Sequence, residues 1–169
     1  MSQNAWLPPL LLFEDSHGNW RAYLDRLYKA FSADFLQNPP SWPQKRFALK
    51  RHPEYDGKSA TFWHFISTGR IEVARIPDLR RCERIAWAKP IIQSFNGKAP
   101  VAGDRIIWWK NTRGNSVRIV LALRDFSYVV IIEDRTDFVL PWTAYFVEWT
   151  HQRQKLEKEY KEYWGAQKC

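Results

Sequence analysis

Residues 105–149 read RIIWWKNTRGNSVRIVLALRDFSYVVIIEDRTDFVLPWTAYFVEW. Their apolar residues gather into four runs, Arg105–Lys110, Ser116–Arg124, Tyr128–Glu133 and a last one around Phe138–Trp149. β-Branched and aromatic side chains suit a pleated, half-buried surface, so each run is expected to form a strand. The segments between them, Asn111–Asn115, Asp125–Ser127 and Asp134–Asp137, are short and polar. Links this short join antiparallel neighbours, because parallel neighbours need a long crossover. A four-stranded antiparallel meander follows. Pro141 has no N–H to give a ladder and must sit at a bulge, a bend or an edge. Thr143 and Tyr145, two residues apart, share one face of the last strand.

Upstream the period is helical. A short extended piece, Leu10–Phe13, leads to Trp20, Leu24, Leu27, Phe31 and Phe35, which step by three or four. Asn19 is a fitting N-cap, and Asn38-Pro39-Pro40 ends the helix. Residues 38–45 read as a rigid loop and 45–58 as irregular or weakly extended chain. Ser59 caps a short helix that runs to Ser67 and closes at Gly69. On it Phe62, Phe65 and Ile66 share a face, and His64 points the other way, towards solvent or a cleft. Pro77 is expected to open a further helix that Pro90 kinks or ends. Leu79, Cys82 and Ala86 lie on one side of it, with Arg80, Arg81 and Arg84 within an arc of about 100° on the other. A closing helix carries the stripe Trp149, Leu156, Tyr160 and Tyr163 and a Glu157–Lys161 pair. The order gives an α+β architecture with helices on one face of the sheet. One domain spans 1–169, comprising an N-terminal helical elaboration (1–44), a basic helical region with the sheet (45–149) and the C-terminal helix (150–169).

Charge is uneven. Lys and Arg outnumber Asp and Glu by 12 to 5 in residues 45–98, while the whole chain carries a formal +8. That region also holds His52 and His64. A basic face with groups that exchange protons near neutrality suits a polyanion. Ten Trp imply an aromatic core, some exposed stacking surface, or both. Cys82 and Cys169 are too few for a disulfide scaffold, which points to a reduced, cytoplasmic protein. Pro8 and Pro9 interrupt the apolar run Leu7–Phe13, and no stretch approaches the roughly 18 apolar residues of a membrane span, so neither a signal peptide nor a membrane is expected.

Three constellations carry chemistry. Lys50-Arg51-His52, with Lys58 and His64, supplies a base, an acid and cations, the set that cleaves a phosphodiester bearing a 2′-hydroxyl without metal. The forked guanidiniums of Arg80, Arg81 and Arg84 suit phosphate, or an acidic protein docked on the same face. Thr143 and Tyr145 offer two hydroxyls if their face is open. Two Cys and four scattered His give no zinc spacing, and neither a glycine-rich nucleotide motif nor a Ser or Cys nucleophile elbow occurs. No metal and no cofactor are implied.

Phe62-Trp63-His64, Arg80-Arg81 with Arg84, Lys110 and Thr143-Ala144-Tyr145 together resemble the barnase, colicin-ribonuclease and RelE-type toxin nucleases, in particular their phage-associated branch. The resemblance covers about residues 50–150. It implies a small metal-independent endoribonuclease, a toxin or phage-linked effector acting on tRNA or mRNA, with an acidic antitoxin or immunity protein as partner. By analogy His64 is the acid–base group, Arg81 and Lys110 serve the phosphate, and Thr143 and Tyr145 line the site. Lys50, Arg51, His52, Lys58, Arg80 and Arg84 would then hold RNA. The added N-terminal and C-terminal helices depart from the resemblance, which identifies no glutamate base on the sheet. A non-catalytic nucleic-acid binder and a protein-interaction module are the alternatives.

Overall fold

The side chain of Asn19 accepts from the Ala22 N–H at 3.0 Å and starts the first helix, α1 (Trp20–Phe31), where the periodicity places it. The computed structural model describes residues 3–168. After α1 the chain widens into a π-helical segment, Ser32–Gln37, that still carries Phe35 into the core. A two-residue strand, β1 (Arg46–Phe47), crosses the region expected to be irregular. Helix α2 (Ala60–Ile66) begins at Ser59, and its C-cap residue, Ser67, turns directly into β2 (Ser67–Thr68), which pairs with β3 (Ile76–Pro77).

The next helix differs from its expected form. Pro77 does not open it but ends β3, and Asp78 caps it by accepting from the N–H groups of Arg80 and Arg81. The helix α3 (Leu79–Glu83) ends at Arg84, and Pro90 lies in the first turn of a separate helix, α4 (Ala88–Gln93), where its missing N–H has no helical acceptor to lose. Leu79 is 46% exposed, so Cys82 and Ile85 bury this element instead. Burial pushes the Cys82 thiol up to about 12. Cys169 lies outside the described residues.

The meander follows as β4 (Ile106–Arg113), β5 (Ser116–Leu123), β6 (Tyr128–Asp134) and β7 (Phe138–Phe146), and the chain closes in α5 (Thr150–Gln167). Gly114 takes φ +60° between β4 and β5, a conformation that a two-residue hairpin favours and glycine adopts without a Cβ penalty. The sheet has five strands in the order β1-β7-β6-β5-β4, because β1 adds in parallel to Phe138–Val139 beyond the antiparallel four. The ion pair of Lys45 with Asp134, 2.5 Å, fixes the chain beside that junction.

Strand alternation divides the sheet into two faces. Ile106, Trp108, Ile119, Leu121, Val130 and Ile132 meet α1 to α4 in the larger core. Ile107, Trp109, Val120, Ala122 and Val129 meet Leu156 and Tyr160 of α5 in a second one. Helices therefore cover both faces rather than one, and Trp149 of the expected stripe is exposed at the α5 cap. Between Ile131 and Ile132 the register with β7 slips by one residue: Ile131 opposes Thr143 and Ile132 opposes Pro141. Trp142 is the extra residue of this bulge, and Pro141 sits beside it as its chemistry requires.

Phe62 joins the N-terminal helix to the rest, its ring centroid 5.1 Å from Tyr28 and 5.4 Å from Phe31, with no exposed surface. Phe62→Ala is expected to cost about 3–5 kcal/mol, as large-to-small changes at fully packed aromatic positions do. Urea unfolding would show this as a lower midpoint with unchanged slope and a single transition; separate transitions for helix and sheet would show that the two do not share a core.

Candidate functional site

Arg81 holds the centre of the candidate site. Its Nη1 donates to the carbonyls of His64 (3.3 Å) and Ser67 (3.0 Å) and to Thr143 Oγ1 (3.0 Å). Thr143 in turn donates to the His64 carbonyl at 3.2 Å. A helix leaves its last carbonyls without partners, and here an arginine from α3 and a threonine from β7 satisfy the end of α2. The Arg81 guanidinium also lies 5.5 Å from the Tyr145 ring centroid. Burial draws its pKa below the ordinary guanidinium range, and Asp78 opposes that pull.

Beyond Arg81, a cleft of about 330 Å³ opens on the α5 face of the sheet. Arg81, Asn111, Arg113, Tyr145, Lys155 and Glu159 contribute its polar wall. Burial, reinforced by Glu159, raises the Tyr145 phenol above its ordinary range, although Arg81 and Arg113 pull the other way. Tyr145 therefore stays a proton donor at neutral pH. Glu159 accepts from Trp109 Nε1 at 3.2 Å through one carboxylate oxygen. The cleft thus combines three cations, a phenol and a carboxylate.

A polar row crosses the same sheet face next to the cleft. Asn111 opposes Arg118, and Arg118 opposes Glu133. Glu133 is only 3% exposed; its Oε1 accepts from Ser116 (2.9 Å) and Arg135 (2.6 Å). Glu133 Oε2, Arg118 Nε, Asn111 Oδ1 and Arg81 Nε are buried with no hydrogen-bond partner among the described residues. Such atoms are costly, and four close to one face mark a polar region that the protein does not satisfy by itself.

The residues expected from the sequence divide. Arg81, Thr143 and Tyr145 come together. Lys110 does not, because it opposes Ile119 on the other face, and Asn111 and Arg113 take the cleft side. His64 is 5% exposed rather than open to solvent. Its Nε2 lies 2.7 Å from Glu72 Oε1, and its ring stands edge-on to Trp142 at 5.6 Å. Lys50 Nζ and the Arg118 guanidinium approach the same Trp142 ring at 4.8 and 5.1 Å. Lys58 is buried, bonded to Asp56 and set over Tyr28. Arg80 pairs with Glu148 at 2.9 Å; Arg84 pairs with Glu83 at 3.2 Å and packs on Phe146 at 4.4 Å. The arginine face is therefore mostly internal. Arg51 and His52 stay exposed, away from the cleft walls. Asn111, Arg113, Lys155 and Glu159 are the cleft residues that sequence reasoning missed; the alternation of β4 and the i, i+4 spacing of Lys155 and Glu159 on α5 were the available signals.

No family model matches the chain, and neither the curated proteins nor the solved structures include a match.

Burial holds the His64 pKa below that of a free imidazole; Arg75 and Lys50 act in the same sense and Glu72 against them. A depressed histidine pKa means that the unfolded chain binds the proton more readily. Its contribution to stability is present above about pH 6.5 and is lost as pH falls through the folded value. Wild type is expected to lose more stability than His64→Gln between pH 7 and pH 5, read as urea midpoints at the two pH values; parallel losses would refute this.

Proposed function

We propose that the chain is a metal-independent endoribonuclease acting in the cytoplasm, with its reaction centre in the cleft between the sheet and α5. The observation that carries this reading is the convergence of Arg81, Arg113 and Lys155 with the Tyr145 phenol and the Glu159 carboxylate around one cleft. Cleavage of RNA by its own 2′-hydroxyl needs a base, an acid and charge to stabilise the phosphorane, and this set supplies all three. The Glu159 carboxylate takes the 2′-hydroxyl proton as the 2′-oxygen attacks phosphorus. The P–O5′ bond breaks, Tyr145 protonates the departing O5′, and the products are a 2′,3′-cyclic phosphate and a 5′-hydroxyl. Arg113 and Lys155 hold the anionic phosphate throughout, while Arg81, engaged with the end of α2 and Thr143, fixes the wall beside Tyr145. The acid–base roles thus pass from His64 to Tyr145 and Glu159, and His64 becomes a positioning residue.

A second reading, a binder that does not cleave, draws support from Arg81. Its Nη1 is committed to three internal acceptors, so it serves the fold before any ligand. Such a binder would show RNA affinity that falls with salt in proportion to the phosphates neutralised.

Purified protein incubated with total RNA in EDTA is expected to give fragments ending in cyclic phosphate. Tyr145→Phe and Glu159→Gln should each lower the rate about 10²–10⁴-fold, the usual range for a general acid or base. Glutamine keeps an acceptor for Trp109, so this loss does not require unfolding. His64→Gln should retain most of the activity. Cleavage unchanged in both cleft variants would refute the assignment, and salt-sensitive binding without cleavage would establish the second reading.

A further inference from the structure

On the far side of His64 from the sheet lies a second pocket, of about 320 Å³. Tyr55, Trp63, Val73 and Pro77 form its apolar wall, and Glu54 and Glu72 supply carboxylates. The Tyr55 and Trp63 rings stand 5.5 Å apart at 68°, and Trp63 Nε1 donates to the Tyr55 carbonyl at 3.0 Å. Mutual backbone bonds between Tyr55 and Lys58, both 3.0 Å, hold the Tyr55 turn. The opposite wall is pinned by Arg75, which donates to Ser67 Oγ and to the carbonyls of Ser67 and Gly69. The site is built in advance, yet its mouth is apolar and open: Tyr55 is 72% exposed and Val73 96%.

Its chemistry narrows the ligand. Aromatic edges and prolines favour a flat apolar body. Glu72 spends Oε1 on His64, and among the described residues Glu54 makes no hydrogen bond or ion pair, so acceptors remain for a donor edge. Exposed Arg51, His52 and Arg70 adjoin these walls along the chain and suit an anionic tail. A flat apolar body with a donor edge and an anionic tail describes a nucleotide. We infer that this pocket is a subsite for one unstacked nucleobase bearing an exocyclic amino group. Adenine, cytosine and guanine each present an amino donor, whereas uracil offers the carbonyl O4 in its place. Uracil keeps one edge donor, N3–H, but it lies between O2 and O4, two acceptors that would face the carboxylates unpaired, so uracil is disfavoured. The inference rests on the ribonuclease reading for its setting: the subsite lies across the His64–Trp142 contact from the polar row beside the cleft, and it selects the base next to the bond that is cut.

The test titrates the full chain with AMP, CMP, GMP and UMP by calorimetry, in wild type, Tyr55→Ala, Glu54→Gln and Arg113→Ala. The three amino-bearing nucleotides are expected to bind about tenfold or more tightly than UMP. Tyr55→Ala should weaken them by about 5–150-fold, the loss of one aromatic base contact. Glu54→Gln should narrow the gap to UMP. Arg113→Ala, in the cleft, should lower RNA cleavage while leaving the preference of the amino-bearing nucleotides over UMP unchanged. Equal affinity for all four nucleotides, or Tyr55→Ala binding like wild type, would overturn the subsite, as would tighter binding of a lysine-rich peptide than of any nucleotide. Binding through Tyr55 in a chain that cleaves no RNA would uphold the subsite and remove the ribonuclease reading.

Discussion

The bulge at Trp142 is the constraint on which the site depends. Val139 and Tyr145 lie six residues apart and would share a face of any regular strand. Val139 belongs to the larger core and Tyr145 to the α5 side, and only an odd residue between them permits both. Pro141 places the irregularity, since a residue without an N–H interrupts a regular ladder in any case. The slip turns Thr143 towards Arg81 and sets Trp142 against Arg118, Lys50 and His64. Without it the first half of β7 would pack correctly and the second half would present Ala144 to the cleft.

Arg81 shows how one side chain serves fold and site together. Hydrogen bonds to charged groups contribute about 1.5–3 kcal/mol each, and a buried carbonyl left without its donor costs about 1–3 kcal/mol. Those values set the scale of what Arg81 gains by meeting two carbonyls and a hydroxyl at once, against the cost of bringing a guanidinium out of water. A lysine would not reproduce it: Nη1 alone makes the three bonds, but a point ammonium lacks the flat guanidinium face that meets the Tyr145 ring.

Local chemistry made most of the fold legible. The four long strands, the N-caps at Asn19 and Ser59 and the irregularity at Pro141 each follow from a few neighbouring residues. β1 escaped because two residues carry no period, and its parallel pairing to Phe138–Val139 is set by contacts far apart in sequence. The break at Arg84 escaped because Pro90 is the louder signal, although proline is tolerated in a first helical turn. Within the site, Thr143 and Tyr145 were readable from strand parity. His64 was misplaced because a seven-residue helix has room for a second buried face, which Trp142 and the 67–77 ribbon provide. Glu159 and Lys155 were hidden by an α5 that reads as a polar solvated helix until the sheet is laid beneath it.

Net charge overstates the surface available to a polyanion. Of the cations that make residues 45–98 so basic, Lys45, Lys58, Arg80 and Arg84 are matched to carboxylates within 3.2 Å, and Arg75 and Arg81 are spent on backbone carbonyls and hydroxyls. A guanidinium so engaged stabilises the fold and has little left for phosphate. The cations without a carboxylate partner among the described residues include Arg51 and Arg70 by the aromatic pocket and Arg113 and Lys155 at the cleft. Between the two places stands His64, kept neutral near pH 7 by burial, so it adds no repulsion to Lys50 and Arg75 while its Nε2 holds Glu72 in the pocket wall. The positive charge that a ligand meets is therefore not a uniform basic face: Arg113 and Lys155 gather at the cleft, and Arg51 and Arg70 adjoin the aromatic pocket only along the chain.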